Sequence, residues 1–249
     1  MSKPRSRENW ALAISLLERA LALDPQSVEA QSRLAGSLAG RVIDNMTDTA
    51  TADVLRAEAL AVQAVAASPQ SAVAHYAKGQ VLRAQRRYAE AIPEYEAVLA
   101  LDRNWVFAFF ALGQCKLNSG SIEETVPLVE QAIRLSPRDP ASGNFYHEIG
   151  RVHLLQSHTE EAIAWLEKAR NAHPTHPNVR ANLASAYALN GETERAAAEL
   201  AEARRLSADD RFASLARLRT VGYRGVPKIR ALIEATYFAG LRKAGMPEE

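Results

Sequence analysis

The sequence predicts an all-α protein built as a row of helical hairpins, and three observations carry that prediction. One helix ending keeps returning: "LERALALDPQS" (Leu17–Ser27), "YEAVLALDRNW" (Tyr95–Trp105), "VEQAIRLSPRD" (Val129–Asp139) and "LEKARNAHPTH" (Leu166–His176), with a worn copy in "LAEARRLSADD" (Leu200–Asp210). The closing proline, or its replacement, stands at Pro25, Pro69, Arg103, Pro137, Pro174 and Ala208, in steps of 44, 34, 34, 37 and 34 residues. Each interval holds two stretches of helical apolar spacing, with small residues where two helices would cross. At 249 residues the chain is longer than a usual single core, and an elongated repeat array accounts for that length.

Taken in order, residues 1–27 supply only the second helix of a first repeat, "ENWALAISLLERALALDP", because the preceding "MSKPRSR" is too short for its partner. A lone second helix leaves part of an apolar face open. Either Trp10 and Ile14 tuck onto the next unit or the natural context covers them. We expect the chain to be, or to descend from, the C-terminal part of a longer protein. The unit at 28–71 contains the 44-residue step, ten more than 34, around "RVIDNMTDTATADVL" (Arg41–Leu55). Its Thr/Asp-rich tip reads as a lengthened helix end plus a loop.

Four units follow, at 72–105, 106–142, 143–176 and 177–208. Their crossing and packing slots are Gly79, Ala91 and Tyr95; Leu112, Gly113 and Ala132; Gly150, Ala162 and Ala169; and Leu183, Tyr187, Ala196 and Ala203. Gly120 and Gly191 make the turns between helices. Pro93 and Pro127 share one slot; a mid-helix proline costs about 3 kcal/mol, so both helices are expected to begin late, with the proline near the first turn. Residues 209–249 depart from the repeat. "DDRFASLARLRT" and "PKIRALIEATYFAGLRKAGMPEE" predict two further helices, broken by "VGYRGV", that cap the exposed end of the array.

A period of 34 with these slots resembles the tetratricopeptide repeat (TPR) family over roughly residues 8 to 208. That resemblance implies a right-handed α-solenoid of helix-turn-helix units, here with a C-terminal helical cap, whose first helices line a concave surface. A narrower resemblance rests on wording. The run "SAVAHYAKGQVLRAQRRYAEAIPEYEAVLALDRNWVFAFFALGQCKLNSGSIEETVPLVEQAIRLSPRDP" and the ending "GLRKAGMPEE" look like the C-terminal repeat region of bacterial class III adenylate/guanylate cyclase-like multidomain proteins. Related regions follow winged-helix regulator domains. The resemblance implies a regulatory or sensory arm, since no cyclase domain is present in these residues.

Composition narrows the function further. Apolar residues make up 47% and charged residues 24%, as in a folded chain, and 30 basic residues balance 29 acidic ones. No bulk charge therefore points to nucleic acid or a membrane surface. Arg211 to Lys243 holds eight basic residues against Glu234 alone, which we read as a solvated face. The N-terminus lacks the apolar core of a signal peptide, no run is long enough to span a bilayer, and Cys115 is the only cysteine. Together these predict a cytoplasmic protein.

Catalytic patterns are missing. There is no phosphate loop, no GxGxxG after a strand and no GxSxG elbow. "HEIGRVH" (His147–His153) lacks the second histidine four residues on, where Arg151 stands. His173 and His176 in "HPTHP" lack further ligands, and Cys115 has no base beside it. We expect no enzyme, no cofactor and no metal site.

The remaining candidate is surface. Taking the groove-facing slots from the family pattern gives Tyr76, Gln80 and Arg83 in one unit, then Phe107, Phe110 and Gln114, then Asn144, His147 and Arg151. Two phenylalanines near Arg83 and Arg151 suit a peptide or partner helix with an apolar anchor and carboxylate neighbours. Phe109 points elsewhere on its helix and is assigned to the core. Chaperone-binding relatives carry a lysine/asparagine clamp where this chain has Tyr76, Gln80 and Ala111, so chaperone tails are not expected. The alternative is a structural module that self-associates, as a homodimer, through the N-terminal end at Trp10 and Ile14.

Overall fold

The computed structural model describes residues 6–222 and 224–249. Residues 1–5, part of the stretch judged too short for a helix, and Tyr223, inside the "VGYRGV" break, lie outside the described residues. The chain forms two compact units, Met1–Cys115 and Lys116–Glu249. Among the described residues every regular element is helical. The fold class is that of an α-solenoid of helix-turn-helix repeats.

The first unit contains α1 (Arg7–Leu23), α2 (Val28–Ile43), α3 (Ala50–Ala67), α4 (Ala72–Ala84), α5 (Tyr88–Leu101) and most of α6 (Val106–Ser119). Punctuation is local. After Pro25 and Pro69 the sequence reads Gln-Ser, and Ser27 and Ser71 accept from the backbone N–H groups of Ala30 and Ala74 at 3.4 and 3.3 Å. Each proline thus follows one helix while the serine two residues on caps the next. Trp10 and Ile14 do tuck onto the next unit: a Cβ at Gly40 would lie 2.6 Å from the Trp10 ring, and Ile14 is buried with Leu34, Ala35 and Leu38.

The lengthened tip between α2 and α3 is fastened by one carboxylate. Arg41 Nε and Nη2 donate to Asp53 Oδ2 and Oδ1 at 2.6 and 2.5 Å, while the Thr47 and Thr49 hydroxyls donate at 2.7 and 3.1 Å. Four donors on a buried carboxylate compensate its desolvation. Pro93 departs from expectation. α5 begins at Tyr88, so the proline sits in the second turn and not the first. Its ring is exposed, and the neighbouring bond from Ala91 N to Arg87 O at 3.1 Å is retained beside the one bond that proline cannot make.

The second unit holds the end of α6, a 3₁₀ turn (Ile122–Glu124), α7 (Thr125–Leu135), α8 (Ser142–Leu155), α9 (Thr159–Ala172), α10 (Pro177–Leu189) and α11 (Thr193–Leu206). Here Pro127 does fall in the first turn of its helix, after the 3₁₀ turn. Gly150 admits Leu166 so closely that a Cβ would lie 2.7 Å from it, which explains the small residue at that crossing. The chain then makes α12 (Leu215–Gly222), α13 (Pro227–Ile233), a π turn (Glu234–Phe238) and α14 (Ala239–Lys243).

These C-terminal helices do more than close the last repeat. They pack along α10 and reach α8, and Val226 N donates to Asn118 O at the end of α6 at 2.9 Å. Phe212, Ile229, Phe238 and Leu241 join Leu155, Leu183 and Tyr187 in one core. The final residues fold back, with Leu215 N and Ala216 N donating to Pro247 O and Glu248 O at 2.9 Å each. Much of the basic run is paired: Arg219 with Glu234 and Glu248, Arg242 with Glu248, and Arg211 with Asp209.

Candidate functional site

Six of the nine candidate residues lie in the first unit and three in the second. In the first, Tyr76, Gln80 and Arg83 share one face of α4 because they are spaced by four and three residues. They form a hydrogen-bonded chain. Gln80 Nε2 donates to Tyr76 Oη at 2.6 Å, Arg83 Nη1 donates to Gln80 Oε1 at 2.8 Å, and Arg83 Nη2 donates to Gln114 Oε1 on α6. The structure therefore brings four of the candidates together across two repeats. Arg83 is half-buried, and among the described residues no carboxylate ion-pairs with it; its side-chain acceptors are neutral oxygens.

Aromatic groups frame this chain. The Tyr76 ring stacks on Trp105 at 5.3 Å and meets Tyr95 edge-on at 5.7 Å. Tyr95 is fully buried against Gly79, where a Cβ would come within 2.7 Å of its ring, and burial raises its phenol well above the ordinary range. The buried Cys115 thiol is pushed up to about 11 by desolvation, with Arg83 opposing. It is a core side chain and not a poised nucleophile.

The phenylalanines are arranged differently from expectation. The core face of α6 is Ala108, Ala111, Leu112 and Cys115, at helical spacings of three, one and three. Phe109 lies one residue off that face and is only partly buried, so its assignment to the core is corrected: the inward positions beside it belong to Ala108, Ala111 and Leu112. Phe110 is also partly buried, and Phe107 is 37% exposed. Trp105 and Tyr95 pack against the candidate Tyr76 although the groove pattern did not include them. The signal for Trp105 was its place in the loop immediately before α6, where an inter-repeat residue can turn back onto α4.

In the second unit Asn144, His147 and Arg151 follow one face of α8. Asn182 Nδ2 donates to His147 Nε2 at 3.1 Å, and the His147 and His176 rings are 5.7 Å apart. Burial first, then His176, Arg151 and His173, hold the His147 imidazole well below its ordinary 6.5. No group of three or more metal-ligating side chains converges among the described residues. Arg151 reaches Glu148 at 3.5 Å and acts on the Tyr237 phenol, which burial raises and Arg151 and Arg211 lower. The π turn therefore brings Tyr237 into the neighbourhood of Arg151. Its backbone carbonyl accepts from Ser185 Oγ on α10 at 2.9 Å. In this unit the chain's own C-terminal helices occupy α10, whose residues Ala181 to Ala188 are all buried.

Comparison with known proteins agrees with this architecture. Tetratricopeptide-repeat family models match residues 72–105 and residues 153–218. The Cell division cycle protein 27 homolog of Caenorhabditis elegans is 28% identical over 99 residues, which is 40% of this chain and 12% of that protein. The chain thus spans about an eighth of that relative. Among solved structures, Pseudomonas aeruginosa pilF has a TM-score of 0.62 at 18% identity, covering 87% of this chain and 88% of its own. YrrB, described as a TPR protein with an unusual peptide-binding site, has a TM-score of 0.53 at 19% identity, covering 82% and 96%. Yeast Tom70 has a TM-score of 0.54 at 17% identity, covering 80% of this chain and 40% of that one. At these identities the structural likeness speaks for the fold alone, an array of helix-turn-helix units, and the tetratricopeptide-repeat models match that array within residues 72–105 and 153–218.

Proposed function

We propose that the chain is a non-catalytic scaffold that binds an extended peptide or partner helix on the faces of α4 and α6, and that Arg83 reads a carboxylate on that ligand. The observation that carries this reading is the state of Arg83. A half-buried guanidinium held by Gln80 and Gln114, with no acidic partner among the described residues, has given up water without gaining a counter-charge. A ligand carboxylate supplies that charge in bidentate geometry. Trp105, stacked on Tyr76, and the exposed edge of Phe107 provide apolar contact beside it.

Asn144, His147 and Arg151 form a separate candidate surface in the second unit, next to the chain's own C-terminal helices. The narrower sequence resemblance supports placing the scaffold as a regulatory or sensory arm of a signalling protein. An array of peptides carrying Asp, Glu or a free C-terminus beside an aromatic residue tests the proposal. Wild-type protein should retain acidic-aromatic peptides, and amide-substituted versions should be lost. Equal retention of acidic and amide peptides would remove Arg83 from the recognition.

A further inference from the structure

The outer face of α3 is unusually free of charge for an exposed helix. Of its exposed positions only Arg56 is charged, while Leu55 and Val62 are 64% and 53% exposed and share a stripe with Ala52, Ala59 and Ala66. Positions 52, 55, 59, 62 and 66 advance by three and four residues, the spacing of a seam between two packed helices. The opposite side of α3 already packs in its own repeat through Ala57, Ala61 and Ala64. We propose that this seam pairs with itself in a second copy of the chain, antiparallel about a two-fold axis midway between Ala59 and Val62.

The sequence of the seam is its own complement. Reversed about that axis, Leu55 faces Ala66 of the second copy and Ala59 faces Val62 of the second copy, so every large side chain meets a small one. In an antiparallel pair each edge of the seam meets the same edge of its partner, so Gln63 falls beside Arg56 of the second copy and Glu58 beside Val65 of the second copy. α1 is tied to α3 through Arg56 Nη1 to Glu18 Oε1 at 2.5 Å, and carries Leu12, Leu16 and Leu23 exposed. These five large side chains leave on the order of 500 Å² of apolar surface in water, the size of the largest patch on a typical monomer, which is often functional. Two such faces together approach the roughly 1,000 Å² of a specific interface. This pairing differs from one through Trp10 and Ile14, which pack onto α2.

Sedimentation velocity on the 249-residue chain over a wide concentration range tests the pairing. Wild type should pass from monomer to dimer, and Val62→Glu should weaken the dimer at least tenfold. Leu101→Glu, at an exposed position on α5, should leave it unchanged; circular dichroism checks each fold, and Ala66→Arg stands in if Val62→Glu unfolds. Register is tested by mixing Leu55→Cys and Ala66→Cys chains under oxidation. A mixed disulfide should form, while Leu55→Cys alone should give none, because eleven residues separate the two copies by about 16 Å along the helix. The buried Cys115 does not compete. A wild type monomeric throughout, a dimer indifferent to Val62→Glu, or a Leu55→Cys homodisulfide as fast as the mixed one would each overturn the proposal. None of these results bears on peptide binding, which uses α4 and α6.

Discussion

A Cβ placed on Gly240 would lie 2.1 Å from Ser185 Oγ and 2.5 Å from the Ser185 carbonyl oxygen. The same serine hydroxyl donates to Tyr237 O at 2.9 Å. The serine hydroxyl could turn aside, but the Ser185 backbone carbonyl cannot. Gly240→Ala should therefore cost about 2–3 kcal/mol. Urea unfolding with hydrogen exchange checks this, and the loss of protection should concentrate in α13 and α14. An alanine variant of wild-type stability would mean that these helices do not dock as described.

Asp53 answers to acid in a defined direction. Burial alone would raise its carboxyl, but the hydrogen bonds and charge of Arg41, with Thr47 and Thr49, outweigh that and hold it below its ordinary 3.8. A depressed carboxyl contributes stability above its unfolded value and loses it as pH falls through the folded one. Asp53→Asn leaves Arg41 uncompensated and should cost about 3 kcal/mol at neutral pH. Its stability should also decline less steeply than wild type below pH 3.8, measured as urea midpoints across the acid range.

His147 predicts a second pH effect, starting higher. Asn182 Nδ2 is a donor, so the Nε2 it faces is unprotonated, in agreement with an imidazole held neutral. The unfolded chain takes up a proton below about 6.5 that the folded chain refuses, so stability should fall as pH drops from there. Imidazole NMR should show His147 still neutral well below its ordinary midpoint. A normal titration at this residue would contradict the Asn182 contact.

Much of the repeat frame was legible because it depends on local rules. The step of 34, the glycines of the turns and the small residues at the crossings each follow from backbone geometry a few residues long. Gly120 and Gly191 have φ of 106° and 84°, as turn glycines should. What escaped needed distant partners. Arg86 and Ser157 take the same left-handed slot without glycine, at φ of 61° and 62°. The four donors on Asp53, the stacking of Trp105 on Tyr76 and the route of the C-terminal helices over α10 join residues that composition and period cannot connect. Phe109 points away from Phe107 and Phe110 on its helix, yet the inward face there is formed by Ala108 and Ala111.

Ser157 yields a stabilising change. It is exposed and left-handed, a conformation that costs a side-chain-bearing residue roughly 1 kcal/mol and glycine almost nothing. Ser157→Gly should raise stability by about 1 kcal/mol in denaturant titration. A loss of stability would show that the serine makes up for its backbone strain elsewhere.

The central claim is that Arg83 awaits a carboxylate. Fluorescence titration of Trp105 environment and peptide anisotropy, using an acidic-aromatic peptide taken from the array, tests it directly in wild type and Arg83→Gln. The variant removes the cation and keeps a hydrogen-bonding side chain, and circular dichroism verifies its fold. Losing a charge-assisted contact of about 1.5–3 kcal/mol should weaken binding at least tenfold, and added salt should narrow the gap. Equal affinity in both proteins at low salt would show that the guanidinium only braces Gln80 and Gln114, and the carboxylate reading would fall.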